Sequence, residues 1–261
     1  MLNTVLQLLS LHSFTRKAFC WIAATMCVVM LSGCQGMLFS PSRSQVRIID
    51  VSPDAPEMDV YQNSSAIAYR LAFGTITSYV AVDPGAYTTT ATMSGTRQAL
   101  ASSKVTLATA GQYTVLIGSS SASLQQMTLR DQNKPAPSGR IALRFVNQTT
   151  ATSPVDVYLI PPGQKIADVK PAVMNSSFGG NTGYLDLPAG TYTLVMEPAG
   201  TVPSDDADAT YAGAQVAYAS GSASTIVLID LQHKSKDPDL QVIIAPDYTP
   251  QTGSDSTESM R

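Results

Sequence analysis

The sequence predicts an all-β protein: two tandem antiparallel β-sandwiches, immunoglobulin-like or transthyretin-like, behind a cleaved leader. Three observations predict it. Runs of about five to eight residues rich in Val, Ile, Tyr and Thr recur between clusters of Pro, Gly, Asn and Asp. No long apolar pattern of helical period follows the leader, so no helix is available to cross between parallel strands. Finally, two halves of the chain match each other in order and spacing.

The duplication runs at a fixed offset of 97, then 105. Val46-Arg47-Ile48-Ile49-Asp50 aligns with Leu143-Arg144-Phe145-Val146-Asn147, and Met58-Asp59-Val60-Tyr61 with Val155-Asp156-Val157-Tyr158. Phe73-Gly74 aligns with Phe178-Gly179, and the ten residues from Tyr79 to Thr88 with those from Tyr184 to Thr193. Later, Thr114-Val115-Leu116-Ile117 resembles Thr225-Ile226-Val227-Leu228. The copies span 45–134 and 139–247, joined by a short polar linker over Asn133–Gly139. Residues 248–261 lack an apolar period and read as a disordered tail.

Within each copy, a Pro/Gly turn precedes Tyr87 or Tyr192. Gly85 and Gly190 are expected at positive φ to reverse the chain. The tyrosine two residues on starts the next strand, its hydroxyl free to bond backbone, as in the tyrosine corner of immunoglobulin-like sandwiches.

Residues 1–33 read as a processing segment. Arg16 and Lys17 precede an apolar run from Ala18 to Met30 in which only Thr25 is polar. That run is short of the roughly 20 residues a bilayer span needs. Leu31-Ser32-Gly33-Cys34 follows and resembles the lipobox of bacterial lipoproteins. The resemblance implies cleavage between Gly33 and Cys34, diacylglycerol on the Cys34 sulfur, N-acylation, and a cell-envelope protein held on a membrane by lipid. Gln35, where an aspartate would signal inner-membrane retention, favours the outer membrane in a two-membrane organism. Residues 34–44 read as a flexible tether.

Composition narrows the function. Cys20 and Cys27 leave with the leader, so Cys34 is the sole mature cysteine and neither a disulfide nor a thiolate metal site is expected within one chain. Charged residues are 13 % of the chain, and its net charge is −3. Loss of Arg16 and Lys17 leaves 14 basic and 19 acidic side chains. No basic stripe remains for phosphates, which argues against nucleic acid as a partner.

The stretches VRIIDVSPDAPEMDVY and LAFGTITSYVAVDPGAYT resemble the bacterial domain-of-unknown-function family 4397. Arg47, Ser52, Pro53, Asp54, Ala55, Pro56, Asp59, Val60 and Tyr61 fit its opening motif. The second copy keeps Arg144, Asp156, Val157 and Tyr158 but has Thr149-Thr150-Ala151-Thr152-Ser153 in place of the S-P-D-A-P stretch. The resemblance implies an exported, β-rich, often tandem and lipid-anchored module, and no particular activity.

Residues that could carry chemistry are sparse. His233, the one mature histidine, sits in a polar loop and reads as solvated. Asp205, Asp206 and Asp208 lack the calcium-loop pattern and read as a hydrated acidic loop. Glu57, Glu197 and Glu258 are the only glutamates, and no acid stands out as half of a glycosidase pair. Gly179-Gly180-Asn181-Thr182-Gly183 reads as a turn rather than a phosphate loop. No catalytic set, metal site or cofactor is therefore expected. The reading is a non-enzymatic binding, structural or adhesion module of the envelope with a protein or glycan ligand; the alternative is a glycan hydrolase using a carboxylate pair.

Two further expectations concern the repeated and the unrepeated residues. Arg47/Asp59 and Arg144/Asp156 recur at the same separation of 12, suggesting an ion pair supporting the first hairpin of each copy. The second copy carries eight extra residues around Pro161–Met174 and six near Glu197–Gln215, where loops could have drifted neutrally or gained a binding role. Tyr61, Tyr158, Tyr211 and Tyr218 are candidates for an exposed aromatic patch.

Overall fold

Among the described residues, sixteen strands follow one another in two sets of eight with the same topology. The first set is β1 (Ser44–Asp50), β2 (Met58–Gln62), β3 (Ser65–Leu71), β4 (Val80–Val82), β5 (Gly85–Met93), β6 (Ala99–Leu107), β7 (Gln112–Gly118) and β8 (Gln125–Arg130). The second is β9 (Arg140–Asn147), β10 (Val155–Ile160), β11 (Val173–Ser176), β12 (Asn181–Pro188), β13 (Gly190–Pro198), β14 (Tyr211–Tyr218), β15 (Ala223–Asp230) and β16 (Leu240–Tyr248). The computed structural model describes residues 42–119, 121–150, 152–203, 209–232 and 240–251. Gly33, Cys34, the leader and tether through residue 41, Asp205, Asp206, Asp208, His233 and the tail from residue 252, with Glu258, lie outside the described residues.

Each set makes two four-stranded sheets. The first has orders β4-β1-β7-β8 and β3-β2-β5-β6; the second has β12-β9-β15-β16 and β11-β10-β13-β14. Every strand of the first set thus has a counterpart in the second. Among the described residues there is no α-helix, only two short 3-10 turns at Ser121–Ser123 and Ile166–Asp168.

The sheets are not purely antiparallel. β1 lies parallel to β7, and β9 parallel to β15. Parallel neighbours need a long crossover, usually helical. Here the strands of the opposite sheet serve as that crossover, which is why the lack of helices did not exclude parallel pairing.

Pleat alternation explains three apolar layers. In β1 and β7, Val46, Ile48, Tyr113, Val115 and Ile117 face the first sandwich core with Met58, Val60 and Leu107. In β9 and β15, Ile141, Leu143, Phe145, Ile226 and Leu228 face the second core with Val157 and Met196. The residues between them point the other way. Ile49, Val51, Leu116 and Leu129 meet Val146, Val227, Ile229 and Ile243 in a third buried cluster joining the two copies. All residues of β7 and β15 are consequently buried. Pro41–Arg261 accordingly forms one compact unit. Full burial of each large aliphatic side chain in the joining layer stabilises by roughly 1.5–3 kcal/mol.

The segments expected to be loose are partly pinned. Ser44 belongs to β1, and its hydroxyl donates to Ala108 O at 2.7 Å. In the linker, Ala136 is buried against Ala142 and Ala223, and its N–H donates to Gly221 O at 3.0 Å. Tyr248, expected to begin the tail, is the last residue of β16.

Candidate functional site

The repeated arginines converge between the copies. Arg47 leaves the outer face of β1 and pairs with Asp247 Oδ1 at the end of the second copy. Arg144 leaves the outer face of β9 and pairs with Asp131 Oδ1, just past the first copy's last strand, at 2.6 Å. All four side chains are sealed, at 0–3 % exposure. Thr114 accepts from Arg47 Nε at 2.8 Å and donates to Asp131 Oδ2 at 2.6 Å. Thr225 accepts from Arg144 Nη2 at 2.6 Å and donates to Asp247 Oδ2 at 2.7 Å. The hydrogen bonds therefore close a ring through Arg47, Thr114, Asp131, Arg144, Thr225 and Asp247, with pseudo-twofold symmetry.

Two tyrosines complete it. Tyr79 donates to Asp131 Oδ2 and Tyr184 to Asp247 Oδ2, each at 2.8 Å. Each arginine lies 4.7 Å over the ring of its own copy's tyrosine, Arg47 on Tyr79 and Arg144 on Tyr184, a cation–π geometry. Burial, followed by the nearby carboxylate, raises the Tyr79 and Tyr184 hydroxyls well above the ordinary phenol value, so both stay protonated donors. Burial first, then the Asp131 charge, raises the Asp247 carboxyl, and Arg47 opposes that shift. Two arginines balance two aspartates, and every charge has hydrogen-bond partners, the condition under which buried ions are tolerated.

This arrangement corrects the ion pairs expected from sequence, Arg47 with Asp59 and Arg144 with Asp156. Met58 and Val60 flank Asp59 and face the core, so Asp59 points away from it on one side while Arg47 points away on the other. Asp59 instead accepts Arg70 N–H at 2.9 Å, Ser94 Oγ at 2.9 Å and Gly95 N–H at 3.1 Å. Those donors, the Arg70 N–H foremost, hold its carboxyl below the usual range. Asp156 likewise accepts Asn175 N–H at 2.7 Å and Gly200 N–H at 2.9 Å. Arg70 (φ 49°) and Asn175 (φ 52°) are left-handed residues on equivalent edge strands. The repeated aspartates anchor those irregularities.

The tyrosine turns form as anticipated. Tyr87 donates to Asp83 O at 2.8 Å and Tyr192 to Pro188 O at 2.9 Å. Of the two glycines expected at positive φ, Gly85 has it (151°) and Gly190 does not.

The unrepeated residues have a visible use. Ile166, in the second copy's longer segment, packs with Val195 and buries Tyr158 on the outer face of its sheet, with Ala209 against the same cluster. Among the described residues, the first copy has no such cover. There Tyr61 is half-buried, and Tyr69 is 69 % exposed, edge-on to it at 6.5 Å. Tyr158 and Tyr218 are buried and Tyr211 is partly buried against the core, so the four tyrosines do not share a surface patch.

Each sandwich also opens between its edge strands. In the first copy a cavity of about 310 Å³ lies between β3 and β4, lined by Gln62, Ile67, Val82 and Tyr87. A counterpart of about 260 Å³ in the second is lined by Leu159, Leu187, Pro188 and Tyr192. Sequence reasoning missed the cavity, Asp131 and Asp247. Among the described residues, no group of three or more His, Cys, Asp or Glu is placed to hold a metal.

No curated protein matches this chain. A solved structure described as "Alpha-glucan binding by a streptococcal virulence factor" is similar at 10 % identity and a TM-score of 0.22, covering 61 % of this chain and 83 % of that one. Residues 44–158, all eight strands of the first copy and the opening of the second through Tyr158, match the family model described as "Domain of unknown function (DUF4397)" and constitute a DUF4397 domain.

Proposed function

We propose that this chain is a lipid-anchored, non-enzymatic binding module of a bacterial cell envelope, cleaved before Cys34 and held, where two membranes exist, on the outer one. One observation carries the non-enzymatic reading. The chemistry-bearing residues repeated between the copies, Arg47, Tyr79 and Thr114 with Arg144, Tyr184 and Thr225, are spent on a sealed network joining two sandwiches. Asp131 and Asp247 meet in that network at 0 % side-chain exposure, where no glycan could reach them. That supports a rigid scaffold presenting its edges and loops over a hydrolase built on this carboxylate pair. The lipid anchor and the envelope location rest on the sequence around Cys34.

The test has two arms. Photo-crosslinking of the mature protein in its native membrane should capture a defined envelope protein or glycan; labelling that matches bulk abundance refutes the binding reading. Cys34→Ala should leave the protein uncleaved and without acyl label. A variant that is still processed and acylated refutes the anchor.

A further inference from the structure

The two sandwiches end in unlike outer faces. Sheets β4-β1-β7-β8 and β12-β9-β15-β16 meet in the joining layer, so β3-β2-β5-β6 and β11-β10-β13-β14 lie outermost. In the second copy Tyr158, Ile160 and Val195 pack with the covering Ile166. At the duplication's offsets of 97 and 105, the first copy has Tyr61, Asn63 and Thr90 in their places. The tyrosine is kept, both aliphatic residues become polar, and the face stays open.

Pleat and register lay these residues out in rows. Val60, Tyr87, Ala91 and Val105 pack on the core, which turns Tyr61, Thr88, Thr90 and Lys104 outward. One row crosses all four strands through Ala66, Tyr61, Thr90 and Ser102, with the last two hydroxyls 3.2 Å apart. The next row sets Thr88 beside Lys104, and Asn63 joins it by accepting Thr88 N–H at 2.9 Å. An open hollow of about 390 Å³ lies over this row, lined by Asn63, Ala86, Thr88, Lys104 and Thr106. Asn63, Lys104 and Thr106 are exposed, so a ligand in the hollow can reach them. Lys104 is the one charge in the lining, and among the described residues it forms no ion pair. Its register counterpart in the second copy is Gln215. On the β3 side, Tyr69 is 69 % exposed and edge-on to Tyr61 at 6.5 Å.

We propose that this face binds an acidic glycan, with a carboxylate-bearing sugar residue over Lys104 and a neighbouring residue packed against Tyr61 and Tyr69. The Lys104 ammonium supplies the counter-charge. The Asn63 carboxamide and the Thr88 and Thr106 hydroxyls supply donors and acceptors for sugar hydroxyls. The two tyrosines present apolar ring surface with a polar tip, which suits a sugar's carbon face and its hydroxyl rim. A strand spacing of about 4.8 Å and a rise of about 3.4 Å per residue put Lys104 and Tyr61 roughly 12 Å apart along the face. That span calls for a short oligosaccharide rather than a single sugar. An aliphatic peptide is the poorer fit, because the apolar contacts that hold the second copy's cover are replaced here by Asn63 and Thr90.

This inference rests on the binding-module reading and is tested separately from it. The mature protein, uniformly labelled with ¹⁵N, is titrated with oligogalacturonate and with hyaluronan oligosaccharides, each beside its uncharged methyl ester. At least one acidic oligosaccharide should shift the Asn63, Thr88 and Lys104 amides saturably with one midpoint, and its ester should bind at least fivefold more weakly. Lys104→Gln, which copies the second sandwich, should weaken the acid to the level of the ester. Tyr69→Ala should weaken both. Both side chains are exposed, so neither change should move the melting temperature. Saturable shifts confined to another surface overturn this site and leave the binding module standing. Equal binding of acid and ester, a Lys104→Gln protein that binds as well as the parent, or no saturable shift with either backbone overturns the proposal. The wild-type comparison of acid with ester decides alone if a variant fails to fold.

Discussion

Asp50→Asn should raise stability at neutral pH and remove most of one pH dependence. Asp50 is fully buried in β1. Its Oδ1 accepts Ser52 N–H at 3.0 Å, while its Oδ2 has no partner. Burial pushes its carboxyl up from 3.8 to about 7, with the Ser52 bond opposing. The second copy places Asn147 at the equivalent position. Asn147 Oδ1 accepts Thr149 N–H at 2.9 Å, two residues on as in the first copy, and its Nδ2 donates to Ser176 O at 3.0 Å. Asparagine therefore retains the acceptor and adds the donor that a protonated carboxyl supplies only at low pH.

The sign follows from linkage. A folded-state pKa above the unfolded one means that the native state holds its proton longer. The contribution is full below about pH 4 and is lost as pH rises to about 7. A shift from 3.8 to about 7 corresponds to at most about 4 kcal/mol across that window. At about 2–4 °C per kcal/mol for a chain of this size, the effect is visible in a melting curve. Scanning calorimetry at pH 4, 5.5 and 7.5 should show the wild type losing more melting temperature than Asp50→Asn, with the gap opening between pH 4 and 7. Parallel curves, or a variant less stable at every pH, would refute the buried-acid reasoning.

Other predictions follow from the network, the turns and the cover. Arg47→Met strands Asp247 without its counter-charge and should cost roughly 3–5 kcal/mol in urea unfolding; adding Asp247→Leu should recover much of it, and a cycle showing simple additivity would contradict direct pairing. Arg144→Met should cost a similar amount, since its surroundings repeat those of Arg47. Tyr87→Phe and Tyr192→Phe each remove one bond to a backbone carbonyl and should cost about 0.5–1.5 kcal/mol, measured the same way. Ile166→Ala should expose Tyr158, cost about 2 kcal/mol or more, and increase acrylamide quenching of tyrosine fluorescence; unchanged quenching would show that Ile166 is not the cover.

The duplication was the most legible feature, and it marked most of the network. Arg47/Arg144, Tyr79/Tyr184 and Thr114/Thr225 all fall in the aligned stretches. The carboxylates escaped because the alignment fades before them: Asp131 lies 17 residues after Thr114, but Asp247 lies 22 after Thr225. The equal spacing of Arg47/Asp59 and Arg144/Asp156 reflected equivalent places in two copies of one fold, not contact. Equal spacing cannot separate those cases, because a pseudo-twofold interface puts the partner in the other copy. The parallel pairs β1·β7 and β9·β15 were hidden for a related reason, since strands of the facing sheet replaced the helical crossover. Gln62 and Thr89 stood opposite leucines in the alignment, yet only the third dimension shows that they are paired across β2 and β5 and buried.

Because each copy's carboxylate sits at its own carboxyl-terminal end, the chain's two extremities answer to each other. Asp247 is 200 residues from Arg47. A stop codon or a protease cut that removed only the last strand would leave the first sandwich's own strands untouched, yet β1 would lose the partner of its buried charge. Damage at the tail would then register at the head. For the same reason, recombination cannot exchange one half for a distant relative's unless the incoming half brings both its arginine and its aspartate in matching places, so the two halves are bound to evolve as a pair.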